Sequence, residues 1–378
     1  MERREFLKQG GAVATGVGAT ALAAPAVVTA QSPTLQWRLA SSFPKSLDIL
    51  YGTAEFFAKR VSEMTGGRFQ IRVHAGGEIV PPLQVLDAVQ NGTIECGHTA
   101  SYYYFGKNPA FAFDTTIPFG MNTRQHNAWM YAGGGLELMR ELFKEYGCVN
   151  FPAGNTGAQM GGWFRKEIKS PADLKGLKMR IAGLAGQMLA KLGTVPQQIA
   201  GGEIYQALER GSIDAVEWTV PYDDEKLGLS KVAKYYYYPG FWEGTAQLSV
   251  LINLKKWEEL PAEYKAIIEA AAAESGVTMT ARYDAKNPEA LRRLVAAGTQ
   301  LRAFPRPVME AARKSALELY EELSAKSPHF KKIYEAWNKF RAEETLWFRV
   351  AEHSFDSFMN SVDAQTRAAP AAGKGDKK

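Results

Sequence analysis

The sequence uses one short phrase twice, first as Ala75-Gly76-Gly77-Glu78-Ile79 and again as Ala200-Gly201-Gly202-Glu203-Ile204. Similar stretches follow the two copies, at residues 87–95 and 206–214. The copies are offset by 125 residues in the phrase and by 119 in the stretches, so the first carries six extra residues. Each copy predicts a glycine turn, a helix, a glycine that ends the helix and a strand, because glycine tolerates positive φ. Chance reuse of helix-capping residues is the alternative, but the repeat favours two similar α/β lobes.

Apolar patterns around the first copy continue this alternation of strands and helices. Period-two patterns predict strands at residues 35–40, 69–73 and 94–98, and helical spacing predicts helices at 47–64 and 83–90. Such βα alternation is typical of an α/β fold with largely parallel sheets, which bind ligands beyond the carboxyl ends of their strands. We therefore expect a ligand in the crevice between the two lobes.

Length and composition restrict the class of protein. The chain has 378 residues, a length that indicates two folded units or one large one. Hydrophobic residues make up 46% and charged residues 22%, as in soluble globular proteins. The net charge is +5, but residues 1–30 and 370–378 contribute three of these charges, which leaves +2 for the body. This balance does not favour nucleic acid or a membrane surface as a partner.

The first thirty residues have the pattern of an export signal. Arg3 and Arg4 precede apolar residues, residues 10–28 are uncharged and mildly apolar, and residues 28–30 end in a small side chain. The pattern is typical of a twin-arginine signal and places the start of the mature chain near Gln31. An N-terminal membrane anchor is the alternative, which the many glycines disfavour. No later stretch has 18 consecutive apolar residues, so no transmembrane helix is expected.

Motifs of common enzyme classes are missing. The sequence contains no His-Glu-x-x-His, Gly-x-Ser-x-Gly, phosphate-loop or Gly-x-Gly-x-x-Gly motif, so no catalytic residue is assigned. Cys96 and Cys148 could pair in a disulfide, but we favour two buried thiols. Neither belongs to a Cys-x-x-Cys pair, so redox or zinc chemistry has no support.

Charged residues beside aromatic ones are the candidates for a binding site. Arg180 ends a predicted strand, where its guanidinium can hold a carboxylate through two parallel hydrogen bonds. Glu217 precedes Trp218, and Glu243 follows a Phe-Trp pair. A carboxylate in such surroundings is costly to bury without a cation, an arginine or a metal ion, and Na⁺ or Ca²⁺ would take its oxygens as ligands. Exposed acids or ordinary ion pairs are the alternatives.

Aromatic residues also cluster elsewhere. Tyrosine runs at residues 102–104 and 235–238 either line a cleft or form strands. From Phe330 onwards, helical spacing places an aromatic-rich stripe close to one face: Phe330, Ile333, Trp337, Phe340, Trp347, Phe355 and Phe358. Such a stripe is usually core, but it could instead dock on another subunit, because so much aromatic surface does not stay in water.

Further motifs run along nearly the whole mature chain: Trp37-Arg38-Leu39-Ala40-Ser41-Ser42-Phe43-Pro44-Lys45-Ser46, Gly154-Asn155-Thr156-Gly157-Ala158-Gln159-Met160-Gly161-Gly162-Trp163-Phe164-Arg165, Gly176-Leu177-Lys178-Met179-Arg180, Val195-Pro196-Gln197-Gln198, Glu217-Trp218 and Pro221-Tyr222-Asp223-Asp224-Glu225-Lys226. Together they resemble the extracytoplasmic solute receptors of tripartite ATP-independent periplasmic (TRAP) transporters, the DctP-type family, and most closely its 2-oxo acid-binding receptors. The resemblance implies a non-enzymatic periplasmic receptor whose two lobes close over a small carboxylate and hand it to a membrane permease driven by an ion gradient.

The resemblance also implies how the chain is divided between the lobes, which hinge segments and a long helix join. The implied segments are an export signal at 1–30, lobe I at 31–157 and 246–285, lobe II at 158–245 and 286–367, and a disordered tail at 368–378. Pro261 predicts the start of the long helix, which extends towards Asn287. The C-terminal helical extension within the last lobe segment would join two copies in a homodimer.

Two overlapping sites follow from the resemblance, residue by residue. Gln159 and Arg180 match the positions that hold the substrate, and Trp218, Asn155 and Tyr102 are further candidate contacts to it. The implied metal site consists of Gln159, Glu217, the backbone carbonyl of Trp218 and Glu243. Arg180 would clamp the substrate carboxylate, and Gln159 would contact both the substrate and the metal ion.

The charge count of the site does not by itself decide whether Na⁺ or Ca²⁺ binds. Two glutamates and a monocarboxylate outweigh the single charge of Arg180, so Na⁺ leaves one net negative charge and Ca²⁺ leaves none, which favours Ca²⁺. The 2-oxo acid receptors that the chain resembles are instead associated with Na⁺. The expected ligand is a 2-oxo monocarboxylate such as pyruvate. The alternatives are lactate or another 2-hydroxy acid as a calcium salt and, in a different class, an exported metal-dependent enzyme acting on small carboxylic acids.

Overall fold

The computed structural model describes residues 32–368. The predicted export signal lies outside the described residues, as does the predicted tail beyond residue 368. The strands are β1 (Leu35–Ser41), β2 (Phe69–His74), β3 (Cys96–Thr99), β4 (Cys148–Asn155), β5 (Gly162–Phe164), β6 (Lys178–Arg180), β7 (Val195–Gln197), β8 (Ala215–Val216), β9 (Tyr235–Tyr238), β10 (Gln247–Asn253) and β11 (Gln300–Ala303).

Helices connect these strands and form the C-terminal part of the described chain. They are α1 (Leu50–Met64), α2 (Val85–Gln90), α3 (Ala112–Thr115), α4 (Thr123–Ala132), α5 (Gly135–Glu145), α6 (Gly183–Ala190), α7 (Ile204–Glu209), α8 (Pro221–Lys226), α9 (Leu254–Glu258), α10 (Ala262–Ala296), α11 (Arg306–Lys326), α12 (Pro328–Phe348) and α13 (Ser354–Ala368). Within residues 32–368, no helix combines the length and the apolar composition needed to cross a membrane.

Two mixed sheets form the centres of two lobes. The first has the order β2-β1-β3-β10-β4, in which β10 runs antiparallel to β3 and β4. The second has the order β11-β9-β5-β8-β6-β7, in which β5 runs antiparallel to β8 and β9. All strands of each sheet other than β10 or β5 run in one direction, so the expectation of largely parallel sheets is confirmed. The chain crosses between the sheets through β4 and β5 and returns through β9 and β10, and segments that run in opposite directions pair antiparallel.

The repeated phrase marks the same three-stranded parallel unit in both sheets. β1 lies between β2 and β3, and β6 lies between β7 and β8. The six extra residues precede α2, which begins at Val85, whereas α7 begins at Ile204 within the phrase itself. Gly92 and Gly211 follow the two helices with φ values of 75° and 74°. The prediction of two similar α/β lobes is confirmed.

The helix α10 contacts both lobes. It packs on α1 and β4 of the first lobe and on α8 of the second. The sequence predicts a helix from Pro261 towards Asn287, but α10 continues through Pro288 to Ala296. A proline inside a helix removes one hydrogen bond and disfavours continuation. Burial of Leu294 beyond the proline provides the tertiary packing that carries the helix on.

The two cysteines lie on strands that are not neighbours. Cys96 on β3 pairs with Ile252 of β10, and Cys148 on β4 pairs with Asn253 of the same strand. Adjacent strands are about 4.8 Å apart, so one intervening strand places the two residues well beyond the roughly 7 Å that a disulfide can span. Both cysteines are free and buried, which confirms two buried thiols.

The aromatic stripe near the C-terminus divides into a buried half and an exposed half. Phe330, Ile333 and Trp337 of α12 are buried, so core packing explains this half. The exposed members are Trp347, Phe355 and Phe358, with 58%, 64% and 63% of their surface accessible. Docking of the exposed half on another subunit remains a prediction.

Candidate functional site

The best-defined part of the site lies at the carboxyl ends of β6 and β8. Arg180 is the last residue of β6, and Glu217 directly follows β8. The two strands are parallel neighbours, so their carboxyl ends meet at the same edge of the sheet. The Glu217 main-chain N–H donates to the Arg180 carbonyl at 3.0 Å, which extends the ladder to the site.

Arg180 and Glu217 form a buried ion pair. Arg180 Nη1 lies 3.0 Å from Glu217 Oε2, and the two side chains are 1% and 0% exposed. The same nitrogen also donates to the main-chain carbonyl of Glu217, and Arg180 Nε donates to the Ile199 carbonyl at 3.2 Å. The guanidinium lies over the Trp218 ring, 4.8 Å from its centre. These contacts fix the orientation of Arg180 before any ligand binds.

Glu243 and Gln159 approach the site from the segments that cross between the lobes. Glu243 lies between β9 and β10, and the Gln159 main-chain N–H donates to its carbonyl at 3.0 Å. The side-chain amide of Gln159 donates to Thr156 Oγ1 at 3.1 Å, which leaves Gln159 Oε1 buried without a partner. Neither carboxylate oxygen of Glu243 makes a hydrogen bond of ordinary geometry.

Burial makes the two glutamates costly to ionise. Burial raises the pKa of Glu243 to about 8, although the Arg180 charge opposes this shift. Burial and the neighbouring Glu243 charge raise the pKa of Glu217 well above its ordinary value, and Arg180 offsets them only in part. A cation between the carboxylates would favour their charged forms.

Four buried oxygen atoms fit such a cation. Glu217 Oε1, Gln159 Oε1 and both carboxylate oxygens of Glu243 accept no hydrogen bond and are shielded from water. Hard cations such as Na⁺ and Ca²⁺ take oxygens of this kind as ligands. No group of three His, Cys, Asp or Glu side chains within residues 32–368 could hold a metal ion. The predicted metal site does not need one, because it has two carboxylates, an amide and a carbonyl.

The remaining predicted residues come from the first lobe. Tyr102 lies in a 3₁₀ turn that follows β3, and the charge of Glu243 adds to burial in raising its pKa, so its hydroxyl lies near that carboxylate. Asn155 ends β4, and its Oδ1 accepts from Gly157 N at 2.9 Å and from Thr245 Oγ1 at 3.0 Å. Asn155 Nδ2 is buried without a partner and is available to a ligand.

The structure buries all seven predicted side chains where the segments that cross between the lobes meet the carboxyl ends of β6 and β8. None of them is more than 6% exposed. The group contains one guanidinium held by an ion pair, several oxygens without a hydrogen bond and one amide N–H without an acceptor. Such an arrangement can bind a small anion together with a cation out of contact with water.

Sequence analysis missed residues that support these side chains. Gly201 lies against the Trp218 ring, where a methyl group would stand 2.5 Å from Cη2. Gly183 lies against Tyr102, and Tyr103 follows in the same turn. Gly201 belongs to the repeated phrase, but nothing local in the sequence says which side chain approaches Gly201 or Gly183.

Two α/β lobes with buried charged side chains where the chain crosses between them are typical of a ligand-binding receptor. Residues 40–327 match the family described as bacterial extracellular solute-binding protein, family 7, and the chain belongs to this family. A protein of Nostoc sp. (strain PCC 7120) named a monocarboxylate 2-oxoacid-binding periplasmic protein is 53% identical over 366 residues, 96% of this chain and 100% of its own length. The suspected relationship to TRAP receptors is confirmed.

Solved structures of relatives agree in fold. A TRAP transporter solute binding protein from Bordetella bronchiseptica RB50, a mixed occupancy dimer with copurified calcium and picolinate, is 54% identical, with a TM-score of 0.87 over 88% of this chain and 99% of its own. A TRAP periplasmic solute binding protein from Pseudoalteromonas atlantica T6c, with bound sodium and pyruvate, is 40% identical, with a TM-score of 0.83 over 86% of this chain and 99% of its own.

Proposed function

We propose that the protein is the receptor of a TRAP transporter and binds a small 2-oxo monocarboxylate, such as pyruvate, together with Na⁺ or Ca²⁺. The observation that carries the proposal is the buried Arg180–Glu217 pair, whose charges interact with the buried Glu243 carboxylate. The bound carboxylates and cations of the relatives support this assignment.

Each predicted residue has a task in this proposal. Arg180 binds the ligand carboxylate, and Asn155 and Tyr102 contact the ligand from the first lobe. The cation is held by Gln159, Glu217, the Trp218 carbonyl and Glu243. A 2-oxo acid suits such a site, because its carboxylate and adjacent carbonyl oxygen can both reach the cation. Residues 31–157 and 246–285 form lobe I, residues 158–245 and 286–367 form lobe II, and closure encloses the ligand.

The receptor acts in the periplasm and delivers its ligand to the membrane permease subunits. It binds and releases the carboxylate unchanged, as the solute-binding family to which the chain belongs does. Two copies associate through the exposed aromatic half of α12 and α13, since apolar surface of this extent is stabilised by a partner.

A tryptophan fluorescence titration tests the ligand and the cation together. Pyruvate is expected to change the emission because Trp218 lies in the site, and chelator treatment in sodium-free buffer is expected to abolish the response. A response to lactate with Ca²⁺ but not to pyruvate would identify a hydroxy-acid receptor. A lack of response to every monocarboxylate, or turnover of the bound acid, would contradict the proposal.

Replacement Glu243→Gln tests the cation site. The amide keeps the shape of the side chain but removes the charge, so we expect cation-dependent pyruvate binding to weaken by more than tenfold, or about 1.4 kcal/mol. The matched control is Glu203→Gln, because Glu203 is exposed in the repeated phrase. Calorimetry with Ca²⁺ and with Na⁺ measures both variants. Equal affinity of the two variants would remove Glu243 from the cation site.

A further inference from the structure

The Tyr102 ring of the first lobe lies directly against Gly183 of the second. Gly183 is the first residue of α6 and has a φ of 60°. A methyl group on Gly183 would stand 2.8 Å from Tyr102 Cδ2 and 3.1 Å from its Cβ and Cγ. These distances are shorter than carbon atoms in contact adopt, so the observed approach requires a residue without a side chain.

Tyr102 cannot move away from Gly183 by rotating its ring, because the contact includes Cβ and Cγ. Its main-chain N–H donates to Thr115 Oγ1 at 3.3 Å, within the first lobe. Its ring stacks on that of Tyr103, with 5.1 Å between ring centres. A side chain at position 183 would therefore push the lobes apart.

A second contact between the lobes lies beside the first. Gln198 Nε2, next to β7 of the second lobe, donates to the main-chain carbonyl of Tyr103 at 2.9 Å. The turn that carries Tyr102 and Tyr103 is thus held on two sides by the second lobe. Both contacts exist only while the lobes are together.

The same tyrosine also reaches the ligand site. The Tyr102 hydroxyl lies within hydrogen-bonding reach of the Glu243 carboxylate. One end of the side chain therefore lies at the ligand and the other at the contact between the lobes.

We propose that Gly183 is a positioning residue for lobe closure, because its missing side chain admits the Tyr102 ring and so lets the Tyr102 hydroxyl reach the ligand. This inference rests on the proposed function in that its affinity readout uses pyruvate with Ca²⁺. Ligand binding and lobe closure then depend on each other through one side chain.

The test compares Gly183→Ala with Gly176→Ala. Gly176 also lies in the second lobe and has a φ of 73°, but no atom would lie within 4 Å of an added methyl group. Both variants carry the same backbone strain, and only Gly183→Ala obstructs the other lobe. We expect Gly183→Ala to weaken pyruvate binding by about 10- to 100-fold, the size of an overpacked contact, mainly through faster dissociation. Gly176→Ala is expected to stay within about twofold.

A double-mutant cycle separates closure from local strain. With Tyr102→Ala in the background, Gly183→Ala is expected to cause almost no additional loss of affinity, since the ring that it obstructs is gone. An equal loss in both backgrounds, or an equal loss in Gly176→Ala, would overturn the proposal.

Small-angle X-ray scattering gives a readout that does not need pyruvate. Gly183→Ala is expected to have a larger radius of gyration than the unmodified protein and than Gly176→Ala, with and without ligand. A protein that binds no monocarboxylate would contradict the proposed function, and the scattering comparison would still test closure. Identical radii in all three proteins would overturn the role of Gly183.

Discussion

Each lobe contains an arginine–glutamate pair at equivalent strands, and the two pairs differ mainly in burial. Arg38 and Glu95 of the first lobe are 51% and 20% exposed, whereas Arg180 and Glu217 of the second are 1% and 0% exposed. The nitrogen–oxygen distance is 3.0 Å in both pairs. Arg38 lies in the middle of β1 and Glu95 directly precedes β3, whereas the buried pair lies at the carboxyl ends of its strands. The same kind of ion pair is thus exposed in one lobe and buried within the candidate site of the other.

The pairing register of β1 with β3 and of β6 with β8 shows which residues of the two lobes are equivalent. Leu39 pairs with Cys96 in the first lobe as Met179 pairs with Ala215 in the second. In this alignment, Ala40 and His98 occupy the places of Arg180 and Glu217. The second lobe therefore carries the charged groups of the site, and the first lobe contributes the uncharged Tyr102 and Asn155.

The largest expected effect comes from removing the arginine of each pair. Arg180→Met leaves a buried carboxylate uncompensated, which lowers the free energy of unfolding by about 3–5 kcal/mol and abolishes pyruvate binding. Arg38→Met removes an exposed partner and costs at most about 1 kcal/mol. Urea denaturation and ligand titration measure both.

A double variant checks that burial causes the difference. Arg180→Met combined with Glu217→Gln removes both charges, so it is expected to recover most of the stability but none of the binding. If the two single arginine variants cost the same free energy, burial does not distinguish the pairs.

The next effect is the pH dependence that His98 gives the first lobe. Burial lowers the pKa of His98 from 6.5 to about 4, against a smaller raising effect of the Ala153 main chain. Because the folded-state pKa lies below the unfolded value, stability is full above pH 6.5 and falls as the pH drops towards 4. From pH 7 to 4.5 this amounts to roughly 2–3 kcal/mol. His98→Gln is expected to flatten the dependence by that amount in urea denaturation, and an unchanged slope would contradict it.

The smallest expected effect compares the first glycines of the repeated phrase. A methyl on Gly201 would stand 2.5 Å from Trp218 Cη2, so Gly201→Ala shifts the indole from Arg180 and weakens ligand affinity by about tenfold, or 1.4 kcal/mol. A methyl on Gly76 would stand 3.1 Å from the Ser42 main chain, so Gly76→Ala lowers the free energy of unfolding by about 1–3 kcal/mol instead. Calorimetry and thermal unfolding separate the outcomes. An equal loss of ligand affinity in Gly201→Ala and Gly76→Ala would contradict the expected difference between the two copies of the repeated phrase.

Much of the fold can be predicted from short stretches of sequence. The helix before Gly92 and the helix before Gly211 follow from apolar spacing and a glycine that adopts positive φ. The end of α10 could not be predicted, because Pro288 is locally a stop signal and the packing of Leu294 overrides it. Local rules fail where a distant surface supplies the stabilising contact.

Only part of the site can be predicted in the same way. An arginine at a strand end and glutamates beside aromatic residues identify Arg180, Glu217 and Glu243 as candidates. That Glu217 forms an ion pair with Arg180 while Glu243 forms none is a property of the folded molecule. Pairing joins residues 37 positions apart, and sequence alone does not fix their distance or burial.

The sequence by itself determined the two repeated units, the residue types of the site and the positions at which glycine is needed. Tertiary structure decided the antiparallel crossing strands, the burial of one arginine–glutamate pair and the approach of Tyr102 to Gly183. The physical reason is the distance along the chain over which each kind of interaction acts. Periodicity and helix capping act over a few residues, whereas the desolvation of a charge and the contact between two lobes depend on everything that packs around them.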